Sequence, residues 1–320
     1  MGRRGAEAAL GVIGAVDSYV PHRLHAPERA YRETNCYTDI LIELLHARGF
    51  EPLAALGHLV RTDFEGDQFT FFKMPPADVE ALYGIDIHEM QPVGALPDQL
   101  AMQLDRGRTM IAELDSFYLP DTASTDYRRN HVKTSIAVDA IDREAAALRY
   151  FHNSGLHQLG PEDYRGVFGL DGRAEEMLPP YLELVRFDSG EPLRGEELRQ
   201  AALELLSFHL QRRPKANPFE SFGVQLAAEL PRLTEGSAER VHAYLFATAR
   251  MAGAAFDLLR AHLDWLVPGG ETVPLDRIVE TCQILSFRLA RRRAFDAGAA
   301  IDTLACSWSD AMELLERSAA

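Results

Sequence analysis

Ile40, Leu41, Leu44 and Leu45 recur at helical spacing between Asp39 and Arg48, and Gly49 follows where a C-cap belongs, so this stretch reads as an amphipathic helix. Gln68 to Lys73 carries strand character, Pro76 to Leu82 a short helix, and Met110 to Leu119 a second strand. His131 to Val138 alternates like a half-buried strand, and Ala147 to Asn153 reads as its neighbour. The polar link Asp139 to Glu144 is short enough for a β-hairpin. A turn centred near Asp142 sets His131 opposite Asn153 on one face, whereas a slip of one residue would turn Asn153 to the other. Past residue 190 the pattern changes. Glu196 to Leu210, Phe222 to Leu233, Ala238 to Leu266, Leu275 to Arg292 and Ala294 to Leu315 all carry the helical period. The expected organisation is an α+β domain with an antiparallel sheet over 1–190, followed by an all-α helical bundle over 191–320.

Composition narrows the function classes. The chain has 320 residues, 47% of them hydrophobic, which suits a water-soluble protein with a large core. A formal charge of −15 argues against a nucleic-acid partner. Gly2-Arg3-Arg4 before the apolar run Ala8 to Val16 imitates a signal peptide, but Glu7 and Asp17 interrupt it. With no stretch long enough to span a bilayer, the expectation is a cytoplasmic protein without a membrane partner. The three cysteines, Cys36, Cys282 and Cys306, are too few and too scattered for a disulfide framework, and their spacing forms no zinc site, so no metal is expected. Cys282 and Cys306 sit among apolar helical neighbours and read as core.

Cys36 is different because it falls at the start of the first helix. Unpaired N–H groups and the positive dipole end favour a thiolate at such a position. A lone cysteine becomes a candidate nucleophile only with a histidine and an Asn or Asp elsewhere in the chain. His131 at a strand start and Asn153 at the end of the neighbouring strand supply a base and an orienter, giving a Cys-His-Asn arrangement. His152, Asp139 and Asp142 remain as alternative orienters.

Asn35-Cys36 to Gly49, Gly66 to Lys73, Leu82-Tyr83-Gly84, Asp115 to Asp121 with Tyr118-Leu119-Pro120, Tyr127, His131-Val132-Lys133-Thr134 and Tyr150 to Asn153 together resemble the bacterial DUF1839 family. That resemblance runs from about Tyr31 to Val167. More distantly, the order of cysteine helix, Asp-x-x-Tyr-Leu-Pro strand end and histidine strand is similar to the N-terminal domain of butirosin-biosynthesis acyltransferases. This second resemblance implies a papain-like cysteine-transferase or peptidase-type fold. It also implies transfer of an aminoacyl or peptidyl group from a carrier-protein thioester, through the enzyme cysteine, to a small-molecule amine. The chain itself would bind no cofactor; the phosphopantetheine of the carrier would present the acyl group.

Around that chemistry, Gln68 and the backbone N–H of Cys36 are candidate oxyanion donors. Asp115, Tyr118 and Asp121 are candidates for holding a substrate amine, with turn capping as the other role of the two aspartates. Arg288, Arg291, Arg292 and Arg293 form the main basic cluster of an acidic chain, and would dock an acidic carrier if they are more than a solvated helix face. Two other outcomes fit the same residues. Water could resolve the acyl-enzyme, making a thioester or amide hydrolase, or the domain could bind a carrier without turnover.

Overall fold

The computed structural model describes residues 16–172, 178–293 and 295–319. The signal-like stretch from Gly2 to Ala15 lies outside the described residues. None of the described helices is long and apolar enough to cross a membrane.

The first helix, α1 (Cys36–Ala47), starts where expected because Asn35 stays extended and its side-chain oxygen accepts from the Thr38 N–H at 3.0 Å. Such a cap stabilises a helix by ~1 kcal/mol. The Asn35 amide in turn donates to the Phe72 carbonyl at 3.1 Å, which fastens the helix start to the rest of the fold. Residues 37–45 are all buried, so α1 is a central element with the sheet on one side and helices on the other.

A long 3₁₀ segment, Pro52–Arg61, follows, then α2 (Pro76–Tyr83), β1 (Asp86–Met90), α3 (Leu96–Leu104), β2 (Thr109–Asp115), β3 (Lys133–Asp142), β4 (Ala147–His152), β5 (Gly155–Leu159), α4 (Pro161–Val167) and β6 (Leu182–Arg186). The six strands form one antiparallel sheet in the order β1-β6-β2-β3-β4-β5. Successive side chains divide between its faces. Met110, Ala112, Leu114, Ile136, Val138 and Leu148 pack with α4 residues Tyr164 and Val167, while Ile111, Ala137, Phe151 and Val185 join the core around α1. Both faces are covered, so β3 is buried from Thr134 to Val138 and not alternately wet, as the sequence pattern had implied.

The second half is helical: α5 (Gly195–Leu210), α6 (Pro218–Glu235), α7 (Ala238–Leu245), α8 (Met251–Leu266), α9 (Val273–Ala290) and α10 (Gly298–Ser318). A π-helical turn, Phe246–Arg250, joins α7 to α8. Within this turn the Ala247 carbonyl accepts from the Phe69 N–H at 2.9 Å. The aromatic cluster of Phe64, Phe69, Phe219, Phe222 and Phe256 then carries one hydrophobic core across both halves.

Two sequence expectations fail here for definable reasons. Gln68 to Lys73 is not a strand. It makes a single bridge, Phe64 to Phe69, because Phe69 and Phe72 are drawn into the core and the Phe69 amide is engaged by the helical half. The β3–β4 turn is also displaced. Asp142 begins it, accepting from the N–H groups of Glu144 and Ala145, so Asp142 pairs with Ala147 and a bulge falls between Val138 and Ala140.

Candidate functional site

A cavity of about 530 Å³ opens at the start of α1, where β3 begins and β4 ends. Its wall includes Cys36, Lys73, Thr134, His152, Asn153 and Arg250. Cys36 is half-buried at the first helical position, and its backbone N–H and that of Tyr37 have no acceptor within the helix.

His152, in the wall of the cavity, is held from both ring nitrogens. It is 2% exposed, its Nδ1–H donates to Asp121 Oδ2 at 2.5 Å, and Nε2 lies 2.8 Å from Thr134 Oγ1. With Nδ1–H directed to a carboxylate, Nε2 is the ring nitrogen left to accept the Thr134 hydroxyl. Asp121 also accepts from the Tyr150 hydroxyl. Burial alone would raise the Asp121 carboxyl, but the hydrogen bond from His152, with that from Tyr150, helps to outweigh it and hold the group below its ordinary value. Thr134 and His152 therefore line the cavity that contains Cys36, and Asp121 holds the imidazole from behind that wall.

The expected base and orienter sit differently. His131 precedes β3, its side chain is 62% exposed, its Nδ1 donates to Asp115 Oδ2 at 2.6 Å, and its ring stacks on Phe117 with centroids 4.3 Å apart. It is not part of the cavity wall. Asn153 does border the cavity, but with φ 46° it occupies the two-residue turn between β4 and β5, a left-handed position that Asn tolerates. The displaced hairpin turn is the reason His131 and Asn153 do not face each other. No hydrogen bond joins Cys36 to a histidine among the described residues, and apo contacts of this kind commonly tighten only with substrate bound. Of the alternative orienters, Asp139 pairs with Arg149 and Asp142 caps its own turn.

Gln68 is exposed in a turn and lies apart from the cavity. Asp115 caps the 3₁₀ turn Ser116–Tyr118 by accepting from the Phe117 N–H, as well as holding His131. Tyr118 is 4% exposed, with its ring packed so closely on Gly166 that a Cβ there would stand 2.2 Å from it. Arg288, Arg291, Arg292 and Arg293 are all exposed at the end of α9. Two of them cover aromatic rings, Arg288 over Phe295 and Arg291 over Phe287, while Arg292 donates to the Gly236 carbonyl. Cys282 is buried, which pushes its thiol up, whereas Cys306 is exposed on α10 and not core. Among the described residues no group of three or more His, Cys, Asp or Glu side chains is arranged to hold a metal.

The sequence offers His152 as an alternative orienter or a pocket-lining residue, Asp121 as a substrate or turn residue, and Thr134 in no chemical role. A signal was present. Asn153-Ser154-Gly155 is a turn signature that ends one strand at His152 and opens another, placing that histidine at a hairpin tip.

Beneath α1 lies a second buried network. Asp39 accepts from the backbone and hydroxyl of Thr34 at 2.8 and 2.6 Å, and Glu43 accepts from His25 Nδ1, the His22 N–H and the Tyr19 hydroxyl. Burial disfavours a charged His25, but the Asp39 carboxylate 3.4 Å from its Nε2 and the hydrogen bond to Glu43 prevail and raise it to about 9. These contacts fix the direction in which α1 presents Cys36.

Comparison with known protein families gives two matches, the DUF1839 N-terminal domain over residues 20–187 and the DUF1839 C-terminal domain over residues 195–317. No curated protein matches the chain.

Proposed function

The chain belongs to the DUF1839 family, and we propose that it is a cysteine-dependent acyltransferase with Cys36 as nucleophile, His152 as base and Asp121 as orienter. The observation that carries this reading is the shared cavity: a half-buried thiol at a helix start and an imidazole anchored by a carboxylate border the same space. A cysteine helix packed against an antiparallel sheet supports the papain-like interpretation of the fold. In the reaction, the Cys36 thiol gives its proton to His152 Nε2 and its sulfur attacks the carbonyl of a thioester. The C–S bond to the donor breaks, and the departing thiolate takes the proton back from the imidazolium. An amine then attacks the enzyme thioester, its proton passes through His152 to the Cys36 sulfur, and an amide leaves. The N–H groups of Cys36 and Tyr37 are the oxyanion donors in this scheme, in place of Gln68.

The donor in this proposal is an aminoacyl or peptidyl group on the phosphopantetheine of a carrier protein, in the cytoplasm, and the acceptor a small amine. Arg288, Arg291, Arg292 and Arg293 supply local positive charge for docking an acidic carrier. A second reading rests on one specific contact: Thr134 already makes the hydroxyl-to-imidazole hydrogen bond of a nucleophile and its base. In that case the acyl group would sit on Thr134 as an ester.

The test is product analysis with an aminoacyl N-acetylcysteamine thioester and a primary amine. Amide formed by the wild-type protein and lost in Cys36→Ala is the expected result. Free acid alone means hydrolysis, and an unconsumed thioester rejects turnover.

A further inference from the structure

The seam between the two halves holds a cluster of histidines that the chemistry at Cys36 does not use. The 3₁₀ segment Pro52–Arg61 lies against α5 and α8, and α2 packs on both this segment and α5. His58 comes from the 3₁₀ segment, His209 from α5 and His262 from α8, and all three are buried. The approach is close: a Cβ on Gly57 would stand 3.2 Å from His262 Nε2 and 3.3 Å from the Leu206 Cα. The rings of His58 and His209 have centroids 6.3 Å apart. His58 and Asp78 belong to the N-terminal family domain, and His209 and His262 to the C-terminal one.

Each ring has one nitrogen bonded and one without a partner. A carbonyl can only accept, so Nδ1 carries the proton where His58 meets the Ala55 carbonyl at 2.9 Å and His262 meets the Leu53 carbonyl at 2.7 Å. Their Nε2 atoms are buried with no hydrogen-bond partner among the described residues, as is His209 Nδ1. A second proton on His58 or His262 would therefore enter at an atom that meets neither acceptor nor water, and a buried unpaired charge is strongly disfavoured. Asp78, from α2, is the carboxylate of the seam, and its Oδ2 is already engaged by His209 Nε2 at 2.7 Å. Burial lowers both His58 and His262 to about 4. The neighbouring histidines add to that effect, against the two carbonyls and, for His58, Asp78.

We propose that this cluster is an acid-operated latch between the halves: uncharged His58 and His262 let the 3₁₀ segment close on α5 and α8, and a proton taken up at either Nε2 parts them. Opening exposes the rings to water, where they regain the ordinary value of 6.5. Because the closed values lie below it, the latch is at full strength above 6.5 and weakens as pH falls towards 4. At about pH 5 the open state gains about 30-fold over the closed one for each of the two histidines. His25 is raised and works in the opposite sense, so α1 keeps its hold over the same range. The latch stands apart from the acyl chemistry.

Hydrogen exchange of the full-length protein tests it, read by peptide mass spectrometry at about pH 7.5 and about pH 5 and corrected for the intrinsic pH dependence of amide exchange. In the wild type, peptides of the 3₁₀ segment, α5 and α8 are expected to lose protection on the order of 10³-fold at the lower pH, while α1 and β3 hold theirs. His58→Asn and His262→Asn keep a side-chain amide donor for the carbonyl but cannot take up the proton. Each, once circular dichroism near pH 7.5 shows a native fold, is expected to shrink the acid response by about 30-fold. Unchanged protection in the wild type at the lower pH, a loss shared equally by α1 and the sheet, or a full acid response in the folded variants would overturn the proposal. The wild-type comparison decides by itself if a variant fails to fold.

Discussion

At the residue scale the decisive contrast is between two histidines. His131 looks like the base in sequence because it opens a strand, yet its ring lies on Phe117 outside the cavity. His152 is held from both ring nitrogens in the cavity wall. Asp121 fixes its tautomer, so Asp121→Asn exchanges an acceptor for a group that can donate and can turn the ring over. Acyl transfer by that variant falls on the order of 10²-fold or more, in kcat more than in KM, because orientation matters most in the transition state. Steady-state kinetics on the thioester donor check this, and unchanged kcat contradicts the assignment. Cys36 itself was legible because its signal is local: Asn35 as cap, then an apolar helical period. His152 was not, because its importance comes from Asp121 and Thr134, which lie 31 and 18 residues away in the chain.

At the element scale, α1 is the part whose placement the chemistry needs most. Asp39, Glu43 and His25 are nearly free of solvent, so the helix is tied down by charged hydrogen bonds inside the core. Breaking such a set by removing one partner costs about 3–5 kcal/mol. Its pH dependence follows from His25, which is raised from 6.5 to about 9. Below 6.5 both the folded and the unfolded chain hold this proton and the stabilisation is complete. As pH rises above 6.5 the unfolded chain loses the proton first, so stability declines until the folded value near 9 is passed. An NMR titration of the folded protein is expected to show the His25 imidazole titrating near 9, assigned by loss of that resonance in His25→Gln; an ordinary value for His25 would contradict the network. The hairpin of β3 and β4 illustrates where pattern reading stops. Alternation identified both strands, but the register depends on Asp142 starting the turn and on the bulge beside Asp139, neither of which the apolar pattern encodes.

Across the whole molecule, the α+β half and the helical half were readable from the switch in period near residue 190, and the family matches fall on either side of the same region. Their sharing of one core was not readable. Phe69 and Phe72 lie in a segment whose alternation suggests a strand, but Phe69 packs against Phe219 and Phe222, and this contact is a property of the assembled fold. The same meeting of halves brings the π-turn beside the Cys36 cavity through Phe246 and Arg250. The central claim is that this cavity carries an acyl group on sulfur. Intact mass under denaturing conditions, after exposure to an aminoacyl thioester, tests it on the wild type, Cys36→Ala and Thr134→Val. The account expects the acyl mass on the wild type and on Thr134→Val, and none on Cys36→Ala. An adduct that persists on Cys36→Ala and disappears from Thr134→Val, or no adduct on the wild type, would contradict it.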